Sequence, residues 1–469
     1  MRVTLTLTLL VAMAAAAHAQ APVAETTVAD QVDVAVTAYN NGLALVRDAR
    51  KLSLPEGELH LKFMDVAEQI RPETVSLRSV AAPGSVTIFE QNYEYDLISP
   101  AKLMEKYVGK QVRLVNFSTE IGFTEVAAEL LSNNQGPIYQ VGDDIFLGHP
   151  GHVVLPEIPD NLIAKPSLIW LIDNQQAGQH LEVTYLTNGI SWKADYVITL
   201  ARDDQALDVA GWVTMDNGSG ATFTNAKLKL VAGDVNLAPR EMPKRAFAGA
   251  AIMDANGVGG MPAEEAFAEY HLYTMPRRTT IKQNQSKQLA LLGATGLECR
   301  KKYEFRGHAR FYSQRVPPIK EQRVGVFLEF RNDKENRLGI PLPAGVMRIY
   351  QEDSEGMLQF AGEDRIDHTP KDEDVTLKMG NAFDVIGERV QTDYERVAPN
   401  VHESAFEITL RNHKESDIVV DVVEPMPGDW RIYDESQPYE KKDAQTAIFR
   451  VAVAKDGEAK VAYRVRVKH

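Results

Sequence analysis

The sequence predicts an all-β protein: several β-sandwich or small-barrel modules in tandem, a C-terminal immunoglobulin-like sandwich and one short connector helix. Three observations predict it. Apolar and polar residues alternate with period two along most of the chain, as strands with one buried face require. Turn dipeptides such as Asn41-Gly42, Asn188-Gly189 and Asp456-Gly457 separate the alternating runs. Helical spacing with both ends signalled occurs in a single stretch, Ser99 to Gly109.

Composition sets the frame. The chain has 469 residues, 44% apolar and 25% charged, which is ordinary globular material. The net charge of -14 excludes nucleic-acid binding through a general basic field. Cys299 is the single cysteine, so no intrachain disulfide can form and burial must supply the stability. A small, partly buried apolar role suits Cys299 better than a nucleophile's, since no activating base is marked beside it.

The N-terminus has the form of an export signal. Arg2 is a short positive region, "VTLTLTLLVAMAAAA" is the apolar stretch, and Ala17 and Ala19 are the small residues that a signal peptidase reads. Cleavage is expected after Ala19, which makes residues 1–19 a signal peptide and the mature protein periplasmic or secreted. No later run approaches the ~18 apolar residues of a membrane-spanning helix.

Residues 30–165 read as an N-terminal β region. Its first part, 33–64, is a meander of about three strands broken at Asn41-Gly42 and Pro55-Glu56-Gly57. The strands "ETVSLRSV" and "GSVTIFEQNY" continue it. A helix is expected over 99–108, with Ser99 as cap, Pro100 in the first turn and Gly109 as terminator. The runs "KQVRLVNF", "EVAAELLS", "PIYQVGDDIFLG" and "HVVLPEI" then suggest a small β-module.

Residues 166–238 read as a β meander of the central domain. Its centre, Gln179 to Leu200, is expected to be a hairpin turning at Asn188-Gly189. Leu181, Val183 and Tyr185 before the turn, and Trp192, Ala194, Tyr196, Ile198 and Leu200 after it, form one apolar face. Lys193 and Asp195 belong to the solvated face. Trp192 and Tyr196 are therefore core residues rather than a carbohydrate-stacking platform.

Ala, Gly, Met and Pro crowd residues 239–270 without alternation, which predicts a flexible linker or inserted loop, with room for a short helix over "MPAEEAFAEY". Residues 271–370 continue the central β domain; Val324, Val326, Leu328 and Phe330 share a face. Residues 371–469 hold candidate strands at 375–379, 383–390, 404–411, 416–424, 429–434, 446–454 and 459–467. About seven short strands in ~100 residues is the count of an immunoglobulin-like sandwich.

Four segments together, "YDLISPAKLMEKYVGKQVRLV", "YLTNGISWKADYVITL", "GWVTMDNGSGATFTNAKLKLVAGDVN" and "LPAGVMRIYQEDSEGMLQFAGED", resemble the bacterial "domain of unknown function 4139" family. The resemblance covers roughly residues 30–469. It implies an exported, β-rich architecture and supplies no catalytic residue to carry over.

Two constellations are candidates for chemistry. In "GDDIFLGHPGHVV", His149 and His152 lie three apart, with Asp143 and Asp144 on the preceding strand. Two imidazoles and a carboxylate suit zinc or another borderline metal, although Pro150-Gly151 reads equally well as a turn. The second is acidic: Glu352, Asp353, Glu355, Glu363, Asp364, Asp367, Asp372, Glu373 and Asp374, with His368 among them. Oxygen-rich loops can bind Ca²⁺ and paired carboxylates can hydrolyse glycans, but charges on β-turns are usually solvated. Ser219 in "DNGSGAT" lacks the spacing of a nucleophile elbow. Metalloprotease, phosphate-loop and dinucleotide motifs are missing from the sequence.

The resulting expectation is a non-catalytic scaffold or binding module for a cell-envelope polymer or protein partner, with no cofactor. The alternative is an envelope glycan or peptide hydrolase using the acidic loops around 352–374. Clustering of Asp353, Asp364, Asp367 and His368 in one cleft would favour the enzyme, and dispersal would favour the binder.

Overall fold

The computed structural model describes residues 21–118, 122–149, 151–159, 162–163, 165–233, 235, 263–267 and 270–469. The fold is all-β: strand makes up 66% of it and helix 4%. The described strands form four sheets of four, five, eight and 13 strands. The predicted signal peptide and most of the 239–270 stretch lie outside the described residues. The end of that stretch does not form the loop or short helix expected. Ala263–Phe267 is a strand paired with Tyr270–Thr274, which in turn pairs with the edge of Phe223–Ala232. Docking on an existing strand edge supplies a pairing that the weak local pattern of "AEEAF" does not announce.

The main core lies where the eight-stranded and four-stranded sheets face the first half of the 13-stranded sheet. The stretch Gln179 to Leu200 is where one sheet becomes another, and here the expected hairpin does not form. Gly178–Asn188 pairs with Leu43–Ser53 and Ser76–Ser79 in the eight-stranded sheet. Ile190–Leu200 pairs with Ala206–Asn217 and Gly345–Glu352 in the 13-stranded sheet. The chain thus turns a corner between two facing layers. The apolar faces on each side of the corner meet across the core, as sandwich layers do. Gly189 makes the corner possible. Its φ is +86°, and a Cβ there would lie 2.8 Å from the Gly218 carbonyl oxygen. Its own N–H donates to the Gly42 carbonyl at 3.0 Å, and its carbonyl accepts from Gly218 at 2.6 Å. The third strand of the predicted 33–64 meander also changes sheet: Leu43–Ser53 lies in the eight-stranded layer and Gly57–Met64 in the four-stranded one.

The helix forms at Pro100–Lys106, with Ser99 Oγ accepting from the Lys102 N–H at 3.2 Å. It opens an inserted module. The strands on either side of the insertion, Val86–Glu94 and Ser167–Asn174, are direct antiparallel neighbours, with Glu94 opposite Ser167. About seventy residues are therefore spliced into what would otherwise be one hairpin. The module is the five-stranded sheet with its own small core of Tyr107, Val112, Leu114, Ala128, Leu130 and Tyr139.

The C-terminal core begins upstream of residue 371. Phe305, Phe311, Tyr312, Val324 and Val326 pack with Phe406, Phe449 and Tyr463. The reason is strand length. Gln285–Arg306 pairs through its first half with Ala206–Asn217 and through its last residues with Ile319–Asn332 and Ile418–Pro425. The candidate strands 375–379 and 383–390 are parts of one strand, Glu373–Ala398, bent by register shifts. A short strand at Glu440–Asp443 lies between the predicted ones. Inside this core, Arg389 donates to Glu424 at 2.6 Å, and both side chains are almost fully buried. The guanidinium also lies 5.2 to 5.8 Å from the ring centres of Phe305, Phe311 and Phe406.

Candidate functional site

The proposed metal ligands do not converge. Asp144 lies in the strand Asp144–Leu147 at one edge of the five-stranded sheet, and His152 in His152–Val154 at the opposite edge. Asp143 is in the exposed turn that leads into the first of these. His149 uses its Nδ1 to accept from the Gly151 N–H at 3.0 Å, which is a turn's own hydrogen bond. Among the described residues no group of three His, Cys, Asp or Glu is arranged to hold a metal.

The acidic residues also disperse. Gly345–Glu352 and Leu358–Ile366 form a hairpin. Asp353 caps its turn, accepting from the N–H groups of Glu355 and Met357 at 2.9 and 3.0 Å and from Gln359 at 2.8 Å. The Gln359 hydrogen bond, with the backbone ones, lowers the Asp353 pKa. Asp367 and His368 lie at the far end of the nine-residue strand, roughly 26 Å away at the rise of an extended chain. His368 accepts from the Ala344 N–H at 3.1 Å, Asp364 from the Lys378 N–H at 2.7 Å, and Glu363 pairs with Arg348 at 3.3 Å. The first ties a loop at a strand end, the second joins two strands and the third is a cross-strand ion pair.

Ser219 and Cys299 take structural roles. Ser219 is fully buried and donates to Asn217 Oδ1 at 2.7 Å, tying the turn it sits in. Cys299 is partly buried; desolvation first, and then the carboxylates of Asp204 and Asp203, push its thiol up to about 11. A thiol so held is not a nucleophile at neutral pH.

One concavity is marked by no sequence motif. It is a cleft of about 680 Å³ at the root of the inserted module. Six segments build it: residues 28–34, the turn 65–68, Leu97, Lys165-Pro166, residues 220–225 and Arg278. Val28 and Val32 present apolar surface, each about half exposed. Thr222, Thr224 and Asn225 add hydroxyl and amide groups to the lining. Gly220, at φ +91°, lets the Glu68 side chain lie against the backbone, since a Cβ there would come within 2.3 Å of it.

Two of the cleft's three carboxylates, Asp33 and Asp65, are engaged by cations, and the third, Glu68, is exposed. Asp33 accepts from Arg278 at 2.6 Å and from Arg47 at 2.7 Å, with Lys227 at 3.8 Å. Burial pushes the Asp33 carboxyl up, but the Arg278 hydrogen bond and the charges of Arg278, Lys227 and Arg47 outweigh it and hold the group below its ordinary range. Asp65 accepts from the Val28 N–H at 3.1 Å and is paired with Lys165. A carboxyl engaged by a cation is the opposite of what a proton donor requires. The arrangement can offer hydrogen bonds and apolar contact to a ligand, and its two paired carboxyls are poorly suited to general acid catalysis. The sequence carried no local signal for Asp33, Asp65, Lys165 or Arg278, because they come from four distant segments.

In comparisons with known proteins, no family model matches the chain and no curated protein matches it either.

Proposed function

We propose that this is an exported, non-catalytic binding module that holds a hydroxyl-rich polymer of the cell envelope in the cleft at the root of its inserted module. The observation that carries the reading is the pairing of two of the cleft's three carboxylates with cations, Asp33 with Arg278 and Asp65 with Lys165, beside neutral hydrogen-bonding groups and exposed valines. With Asp33 and Asp65 engaged by cations, the carboxylate left exposed in the lining is Glu68. Hydroxyl and amide side chains next to apolar patches suit a sugar, which presents both kinds of surface. The cleft is built from strand residues, Gln31–Val34 and Thr224-Asn225, together with the loops beside them, so a rigid β scaffold holds it. The N-terminal signal sequence supports an envelope location. The resemblance to an exported β-rich family agrees with it.

The hydrolase alternative loses its support with the dispersal of the 352–374 carboxylates. The test is sedimentation of the purified protein with isolated cell-wall polymer. The wild type should pellet with the polymer and release no soluble fragments. Thr224→Arg, which fills the cleft from an exposed position, should stay in the supernatant. Release of fragments, or equal pelleting by the Thr224 variant, would overturn the reading.

A further inference from the structure

A second surface lies on the inserted module, away from the cleft. The strand Asp144–Leu147 is the terminal strand of the five-stranded sheet, so its outer backbone edge has no strand partner among the described residues. Ile145 is 65%, Phe146 44% and Leu147 84% exposed. Edge strands are ordinarily blunted by Lys, Pro, a bulge or a covering loop, because an open edge templates pairing with another chain. This edge carries neither Lys nor Pro, and its pairing with Ile138–Val141 runs without a register shift. Three consecutive apolar residues on one strand place Ile145 and Leu147 on one face and Phe146 on the other. A partner packing on one face would leave the other face wet. A strand added to the edge brings its own alternating side chains to both.

Charge narrows the partner. Asp143 and Asp144 are exposed at the start of this strand and make no ion pair among the described residues. In an antiparallel addition the partner's C-terminal end lies opposite them. We propose that this edge receives an extended segment of another protein by antiparallel strand addition. The segment carries apolar residues on alternate faces and Lys or Arg at its C-terminal end. Main-chain hydrogen bonds supply the affinity and the apolar and acidic neighbours supply the register. A second copy of this chain fits less well: paired antiparallel through this edge it would set Leu147 and Gly148, which carry no charge, opposite Asp144 and Asp143.

The experiment uses the full-length mature protein and a fluorescein-labelled hexapeptide of Val and Ile ending in two Lys, followed by anisotropy. Saturable binding is expected. Replacing the two Lys by Glu, or moving them to the N-terminal end, should weaken it by at least about tenfold. N-methylation of alternate backbone amides should abolish it. The double change Ile145→Lys with Leu147→Lys should also abolish it while leaving the melting curve in place, since both residues are exposed. Thr224→Arg, in the cleft, should leave peptide binding unchanged, which separates this surface from the polymer site. No binding of the parent peptide, or equal binding of the N-methylated one, would overturn the proposal. So would a dimer in sedimentation that Leu147→Lys disperses, for then the edge is covered by a second copy.

Discussion

Trp192 is 3% exposed, and its indole N–H donates to the Ala38 carbonyl at 3.1 Å, across from one sheet to the other. Replacing it with Ala removes an aromatic ring from the main core and should cost about 3–5 kcal/mol, read from urea unfolding. Lys193, one residue on, is exposed, and Lys193→Ala should change stability by less than about 0.5 kcal/mol. Asp195 is different from the solvated residue its alternation suggests. It accepts from Thr214 at 3.0 Å and from Arg348 at 3.0 Å, so Asp195→Ala should not match the Lys193 control. Cys299 gives a pH prediction. Its folded-state pKa is raised to about 11 by burial and by Asp204 and Asp203. The native state therefore prefers the protonated thiol. The stability this contributes is complete below the ordinary thiol range and is lost as pH rises through about 11. Alkylation of the native protein by iodoacetamide should stay slow at pH 8 and accelerate only toward the raised value. Rapid alkylation at pH 7 would contradict the assignment.

At the scale of the elements, the corner at Gly189 and the inserted module are the informative features. Gly189→Ala forces a side chain into a positive-φ site 2.8 Å from the Gly218 carbonyl oxygen. It should cost at least about 1 kcal/mol, measured by the shift of the denaturation midpoint. The change should act on folding rather than on any binding readout. The inserted module makes the opposite prediction. Because Val86–Glu94 and Ser167–Asn174 are already neighbours, replacing residues 96–165 with a short turn should leave a folded body. Its far-ultraviolet spectrum should remain that of a β protein, and its melting should remain cooperative. A body that fails to fold without the module would show that the module supports the main core instead of being carried by it.

For the whole molecule, the long strands decide how the chain can be divided. A fragment of residues 371–469 lacks Phe305, Phe311, Tyr312, Val324 and Val326, all part of the C-terminal core. It should be unfolded or molten, with a collapsed near-ultraviolet signal. A fragment starting at 299 retains those residues and should show dispersed amide resonances. Arg389 sharpens the expectation: two of the three rings around its guanidinium, Phe305 and Phe311, come from upstream of 371. Without them a buried cation loses much of its surroundings. A well-folded 371–469 fragment would overturn this division of the chain.

Alternation, turn residues and the capped stretch at Ser99 were enough to determine the all-β class, most strand positions and the inward faces of Trp192 and Tyr196. These are local properties: period two fixes which side chains share a face, whatever that face later packs against. The same pattern could not say which strand pairs with which. The run before Gly189 and the run after it alternate equally well as a hairpin or as the two sides of a corner, and only the partners Leu43–Ser53 and Ala206–Asn217 distinguish the two. For the same reason, residues close in sequence, such as Asp144 and His152, fell on opposite edges of a sheet. Asp33 and Arg278, 245 positions apart, came within 2.6 Å. Strand pairing in this fold is dominated by long-range contacts, so the cleft and its charge pairs exist only once the sheets have assembled.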